Sequence, residues 1–274
     1  MKKRQSRAIL FIILVIFLSC KQNFITEPVE GGNSLKIIGY AGTSTNIDIP
    51  GNIRRLPVTH IGDRAFAGQE LASVVIPDSV THIGAGAFSR NQMTSVVIGR
   101  NVTYIGAEAF EQNLLPEVVL PEGITYIGEA AFQLNMISSL SLPNSITRLE
   151  NVVFGGNQLV GVVIPDSVTY IGDAVFVFNR LASVVIPDSV IHIGESAFFG
   201  NRMVNAALSN NLKHIGGWAF AENRLIDIII PDSVTYIGEN AFFNTRLTDV
   251  IIPHSVTYIG EDAFDGNVNV IRHE

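Results

Sequence analysis

The sequence predicts a mainly β solenoid: a right-handed superhelix of stacked 22-residue coils, each made of short strands and a 3₁₀ or helical turn. Three observations carry that expectation. Phenylalanine recurs at a fixed interval of 22 residues, at Phe66, Phe88, Phe110, Phe132, Phe154, Phe176, Phe198, Phe220, Phe242 and Phe264. Around each one the chain repeats the pattern L-x-x-V-x-I-P-D-S-V-T-Y-I-G-x-x-A-F-x-x-N-x, without insertion from Val58 onward. The composition is 47% hydrophobic and only 16% charged, which excludes a disordered polyelectrolyte and a coiled coil.

Each part of a coil follows from its residues, taking Leu71 as position one. In Ser73-Val74-Val75-Ile76, period-two alternation turns Val74 and Ile76 inward and Ser73 and Val75 outward, as in a short strand. Pro77 has no N–H and ends the pairing, and Asp78-Ser79 supplies turn chemistry. Val80 and Ile83 belong to a second extended segment aimed at the core. Gly84 then permits a bend that a side chain would obstruct. Ala87-Phe88 returns the apolar face, expected in a helical or 3₁₀ turn, and Asn91 closes the coil. A buried asparagine there would satisfy backbone groups of neighbouring coils, each worth ~1–3 kcal/mol if left unpaired. A single coil cannot bury its own face, so the coils must stack, at ~4.8 Å each.

The N-terminus reads differently. Lys2, Lys3, Arg4 and Arg7 precede an apolar run from Ala8 to Leu18, followed by Ser19 and Cys20, the single cysteine. That run is too short for a bilayer core of ~30 Å, which needs about 20 residues, but suits an export signal. The segment resembles a bacterial lipoprotein signal, and the resemblance implies lipidation of Cys20. The alternative is an uncleaved anchor with an incidental cysteine. The expected organisation is therefore an export signal over residues 1–19, a linker over 20–34, a capping unit with the first coil over 35–70, nine coils over 71–268, and a tail over 269–274.

The strings VVIPDSVTHIGAGAF, VVIPDSVTYIGDAVF and IIIPDSVTYIGENAF resemble the BspA-type leucine-rich repeats of bacterial surface antigens. The likeness runs from about Leu35 to Gly266. The opening LKIIGYAGTSTNIDIPGNIRRLPVTHIGDRAF is similar to that family's N-terminal unit. The resemblance implies a cell-surface or outer-membrane protein whose partners are host-matrix proteins, host cells or other bacteria. Units 137–158 and 203–224 are the least regular: Glu150 replaces the glycine of the first, and Ser209 the proline of the second.

Little in the sequence points to catalysis. Ser79, Ser145, Ser167, Ser189, Ser233 and Ser255 are equivalent turn residues, whereas a nucleophile needs a unique setting with its own base. No HExxH or EF-hand loop occurs, and one cysteine cannot build a disulfide framework or a cysteine-based zinc site. No enzyme activity and no cofactor are expected. Net charge is −7, with four basic residues confined to the leader, so the remainder is more acidic still and nucleic acid is excluded as a partner.

Three columns of the repeat are candidates for binding. Position five places Val75, Val97, Val119, Val163, Val185, Ile229 and Ile251 outward on one strand face, with Asp227 and Asp249 beside the last two. A contiguous exposed apolar stripe marks a contact surface, unless the valines serve only β-propensity. Position twelve collects His60, His82, Tyr104, Tyr126, Arg148, Tyr170, His192, His214, Tyr236 and Tyr258, a ring stripe that is the alternative surface. Two histidines one coil apart fall short of a metal site. Arg180, Arg202, Arg224 and Arg246 fill the last position of four successive coils. They are read as solvated and neutralised by Asp227 and Asp249, with a patch for an acidic ligand as the other reading. The expected function is an exported, lipid-anchored surface protein that binds a protein ligand through the position-five face. The alternative is an envelope protein that associates with itself.

Overall fold

The computed structural model describes residues 17–18 and 23–272, so Cys20 and most of the apolar leader lie outside the described residues. From Phe24 onward the chain winds as a three-sided β solenoid. The first side carries the strands Ser73–Val75, Ser95–Val97, Glu117–Val119, Ser139–Ser141, Ser183–Val185, Asn205–Ala207 and Asp249–Ile252. The second side carries two-residue strands from His82–Ile83 to Tyr258–Ile259. Pairing is parallel and in register, so each residue faces its counterpart one coil on: Tyr104 pairs with both His82 and Tyr126.

The expected inward and outward assignments hold. Val74 and Ile76 are buried, Val75 is exposed, and Val80 and Ile83 are sealed in the core. The phenylalanines form a spine, nearly parallel rings with centroids 5.1 Å apart between Phe66 and Phe88 and 6.0 Å between Phe154 and Phe176. From Asn91 to Asn223 the asparagine column is buried and bonded as its position requires. Asn91 Oδ1 accepts the backbone N–H groups of Gln69 and Leu71, while its Nδ2 donates to the carbonyls of Phe66 and Phe88. One side chain thus satisfies the backbone of two coils.

The third side corrects the expectation of a helical turn. Among the described residues it contains no helix, because alternate N–H groups point in different directions. Those of Phe66, Phe88 and Phe110 donate to the carbonyls of Ala87, Ala109 and Ala131 in the next coil, at 2.8, 2.7 and 2.8 Å. Between them, Ala87 and Ser89 close short turns onto Gly84 and Gly86. A helix would direct every N–H along its own axis and leave the neighbouring coil unpaired. The alternation requires left-handed backbone before each alanine and two residues after each phenylalanine: φ is 56° at Glu108, 53° at Gln112, 55° at Ala130 and 55° at Leu134. Left-handed backbone is unfavourable for L-residues, and here the bonds between coils offset it.

Both ends depart from the expected boundaries. Phe24–Pro28, placed in the linker by sequence, pairs antiparallel with Leu35–Tyr40, and Leu35–Tyr40 pairs parallel with Leu56–Ile61. The rings of Phe24 and Tyr40 pack against Phe66 at 6.1 and 5.8 Å, closing the spine. The reason is burial: Phe24 is almost fully covered and alternates with a buried Thr26. At the other end Asn269–Arg272, expected as a tail, forms a strand parallel to Asp249–Ile252.

Both strand ladders are interrupted. On the second side one sheet ends at Tyr126–Ile127 and another begins at Arg148–Leu149. Glu150 accounts for this break. At the equivalent Gly128 an added Cβ would lie 2.5 Å from the backbone nitrogen of Ala107, so a residue with a side chain cannot dock here. The third side stays laddered at the same level, through Phe132 N–H to Val153 O. On the first side the pairing lapses between Ser95–Val97 and Glu117–Val119, around Gly161, where one isolated bridge joins Ser141 to Val163, and around Asp227. Glycine weakens a strand interior, and Asp227 beside Asp249 sets like charges opposite one another. Ser209, which replaces the proline of its unit, is buried and bonds the N–H of Asn211, and the second-side ladder runs past it.

Candidate partner-binding faces

The position-five residues stand on the first side with their side chains in solvent. Exposure reaches 80% at Val119, 81% at Val163 and 76% at Ile229, while Val118 and Ile228, one residue earlier, are buried. Val75, Val97, Val185 and Ile251 are exposed as well. Among the described residues nothing covers this column, and it lines surface depressions. One, about 660 Å³, is bounded by Ser139, Val160, Gly161, Val163 and Val185, where the first-side pairing lapses. A second, about 430 Å³, is bounded by Asp227, Ile229, Asp249, Ile251 and Ile271. These two depressions lie where the first-side pairing lapses, around Gly161 and around Asp227, and unpaired segments leave room between coils. Asp249 accepts hydrogen bonds from Thr248 and Asn269, which hold its carboxyl below the usual carboxylate range.

The ring stripe occupies the second side and is a continuous stack. Arg148 lies 4.0 Å over the ring of Tyr170. Tyr170, His192, His214, Tyr236 and Tyr258 follow with centroids 4.4–4.7 Å apart. Beyond the Glu150 break, His60, His82, Tyr104 and Tyr126 form a second stack. Burial lowers the pKa of His60, His192 and His214; the neighbouring histidine adds to this at His60 and His192, and Asp173 opposes it at His192 and His214. The stack engages its own ring faces, leaving mainly ring edges for a partner. Among the described residues no three His, Cys, Asp or Glu side chains converge on a metal position.

Four of the six serines in the turn column have a structural role, while the buried hydroxyls of Ser79 and Ser255 have no hydrogen-bond partner among the described residues. The hydroxyls of Ser145, Ser167, Ser189 and Ser233 donate to the carbonyls of Ile124, Ile146, Val168 and Leu212 in the preceding coil, at 2.6–2.7 Å. The neutralisation expected for the arginine column is not observed. Among the described residues, none of Arg180, Arg202, Arg224 and Arg246 has an acidic group within ion-pair distance. Asp249 is engaged by Thr248 and Asn269 instead.

Sequence reasoning missed an aromatic chain on the third side. Phe178, Phe199, Trp218 and Phe243 meet edge to face at 5.4, 6.0 and 5.8 Å. The signal was present, since these turn positions hold small or polar residues in most other coils. No helix among the described residues is long and apolar enough to cross a membrane.

Comparison with curated proteins found no match. Solved structures resemble the fold. The pneumococcal vaccine antigen PcpA aligns at 19% identity with a TM-score of 0.66, covering 94% of this chain and 82% of its own. The leucine-rich repeat protein of T. pallidum aligns at 22% identity, TM-score 0.49, over 73% of this chain and 86% of its own. A leucine-rich cell surface protein of Faecalibacterium prausnitzii aligns at 24% identity, TM-score 0.44, over 92% of this chain and 93% of its own. The sequence profile of the BspA type leucine rich repeat region matches residues 40–160 and 150–271 in six copies, and the chain, with its 22-residue coils and phenylalanine spine, belongs to that family.

Proposed function

We propose that this protein is exported, held at the bacterial surface by a lipid on Cys20, and binds a protein ligand through the position-five face. The observation that carries this reading is the coincidence of the most exposed apolar side chains, Val119, Val163 and Ile229, with the depressions along the first side. An apolar stripe rimmed by Ser139, Ser183, Asp227 and Asn205 can desolvate on contact while its rim sets the register. Many coils can touch one ligand together, so modest contacts add along the solenoid. The likeness to surface antigens supports a matrix or cell-surface protein as ligand and an adhesive role. The soluble chain from Gln22 onward, immobilised and offered purified matrix proteins, tests this. Saturable binding of at least one of them is expected. Binding of none, together with concentration-dependent association of the chain with itself, would replace adhesion with an envelope role.

A further inference from the structure

Beyond the protein-binding face, the last position of the coils carries a feature that neither the fold nor that face explains. Arg180, Arg202, Arg224 and Arg246 are exposed, and their backbone N–H groups donate to Leu159, Leu181, Met203 and Leu225 at 2.9–3.0 Å. Those bonds fix the four residues in a row at one coil per step, about 15 Å end to end at ~4.8 Å per strand. The fold does not require arginine there, because Gln92, Leu114, Met136 and Gln158 fill the same position in the preceding coils. None of the four has an ion-pair partner among the described residues. The nearest acids in sequence do not relieve them: Glu222 accepts from Asn244, Asp249 from Thr248 and Asn269, and Asp227 forms no ion pair. Like charges stacked at this spacing repel until an anion arrives.

The aromatic chain is confined to the same coils. Phe178 is 63% exposed, two residues before Arg180, and it touches Phe199, which touches Trp218. We propose that the arginine row and Phe178 together bind a linear anionic polysaccharide laid along the solenoid axis. Guanidinium groups pair with sulfate or carboxylate groups, and the ring packs on the apolar face of a sugar. An acidic peptide fits less well, because the backbone donors of the row are spent within the solenoid and offer no strand edge to augment. A flat anionic bilayer fits less well too, since the adjoining turns carry exposed Glu195, Glu239 and Glu261.

The test is equilibrium binding of the full chain to immobilised dextran sulfate, with neutral dextran, poly-glutamate and anionic phospholipid vesicles as further arms. Dextran sulfate is expected to bind, neutral dextran not, and Arg202→Gln with Arg224→Gln to weaken binding about tenfold or more. Glutamine already occupies this position in two coils, so that variant keeps the fold. Phe178→Gly is expected to weaken binding several-fold; it suits a site where φ is 52° and where the equivalent Gly156 and Gly200 also have positive φ. Arg90→Gln, outside the row, should leave binding unchanged. No binding to dextran sulfate, or equal binding by the double variant, would overturn the proposal. Tighter binding of poly-glutamate or of vesicles would assign the row to an acidic peptide or a bilayer and refute the glycan. An inert Phe178→Gly would remove the ring from the site and reduce it to a charge contact, contrary to the proposal. Matrix-protein binding through position five is read separately, so neither result decides the other.

Discussion

The asparagine column shows how much one side chain can support. Asn157 accepts from the N–H of Ile137 and donates to the carbonyls of Phe132 and Phe154, all of them buried. Asn157→Ala strands these groups without water, at roughly 1–3 kcal/mol each. Its denaturation midpoint should therefore fall well below that of the wild type, and an unchanged midpoint would contradict the bonding scheme. The histidines of the ring stack make a second residue-scale prediction. Burial lowers the folded pKa of His192 and His214, so below pH 6.5 the unfolded chain takes up protons that the folded chain refuses. Stability is full above pH 6.5 and declines as pH falls from there through the folded values. Tyrosine already occupies this column, so His192→Tyr with His214→Tyr should keep the stack and flatten the melting temperature between pH 5 and 7. An equal slope in that variant would place the pH dependence elsewhere.

At the scale of the element, the sequence predicts well where every coil repeats the same residue and poorly where neighbours decide. The two strand faces, the spine and the asparagine column each follow from a residue type with one physical role. The third side was not legible, because its left-handed positions hold Glu108, Ala130, Val152, Ser196 and Trp218 indifferently. The next coil imposes that conformation, and no side chain announces it. Glu150 was legible as an irregularity, and the close approach at Gly128 gives it a consequence. Glu150→Gly should let the second-side ladder close between Tyr126 and Arg148. Amide exchange at positions 147 and 150 should then slow toward that of Thr169 and Gly172, with stability rising by about 1 kcal/mol per bond gained. Unchanged exchange would mean that something other than the missing glycine holds the two sheets apart.

Taken as a whole molecule, the solenoid separates its surfaces: an apolar strand face, a ring stack and a turn side with arginines and aromatics. The position-five face was visible in the sequence because period two dictates which residues point outward. Its depressions were not, because they arise where pairing lapses around Gly161 and Asp227, and only the stacked coils reveal that. Stacked rings satisfy one another, whereas Val163 and Val185 are exposed, which is why the strand face is the one proposed to bind. The most direct measurement compares two double variants for binding to the matrix protein captured by the wild-type chain, each first shown to melt with the wild type. Val163→Lys with Val185→Lys should abolish binding, while Tyr236→Ala with Tyr258→Ala should leave it within a few-fold. Loss of binding in the tyrosine pair alone would contradict the assignment and move the ligand to the ring stack.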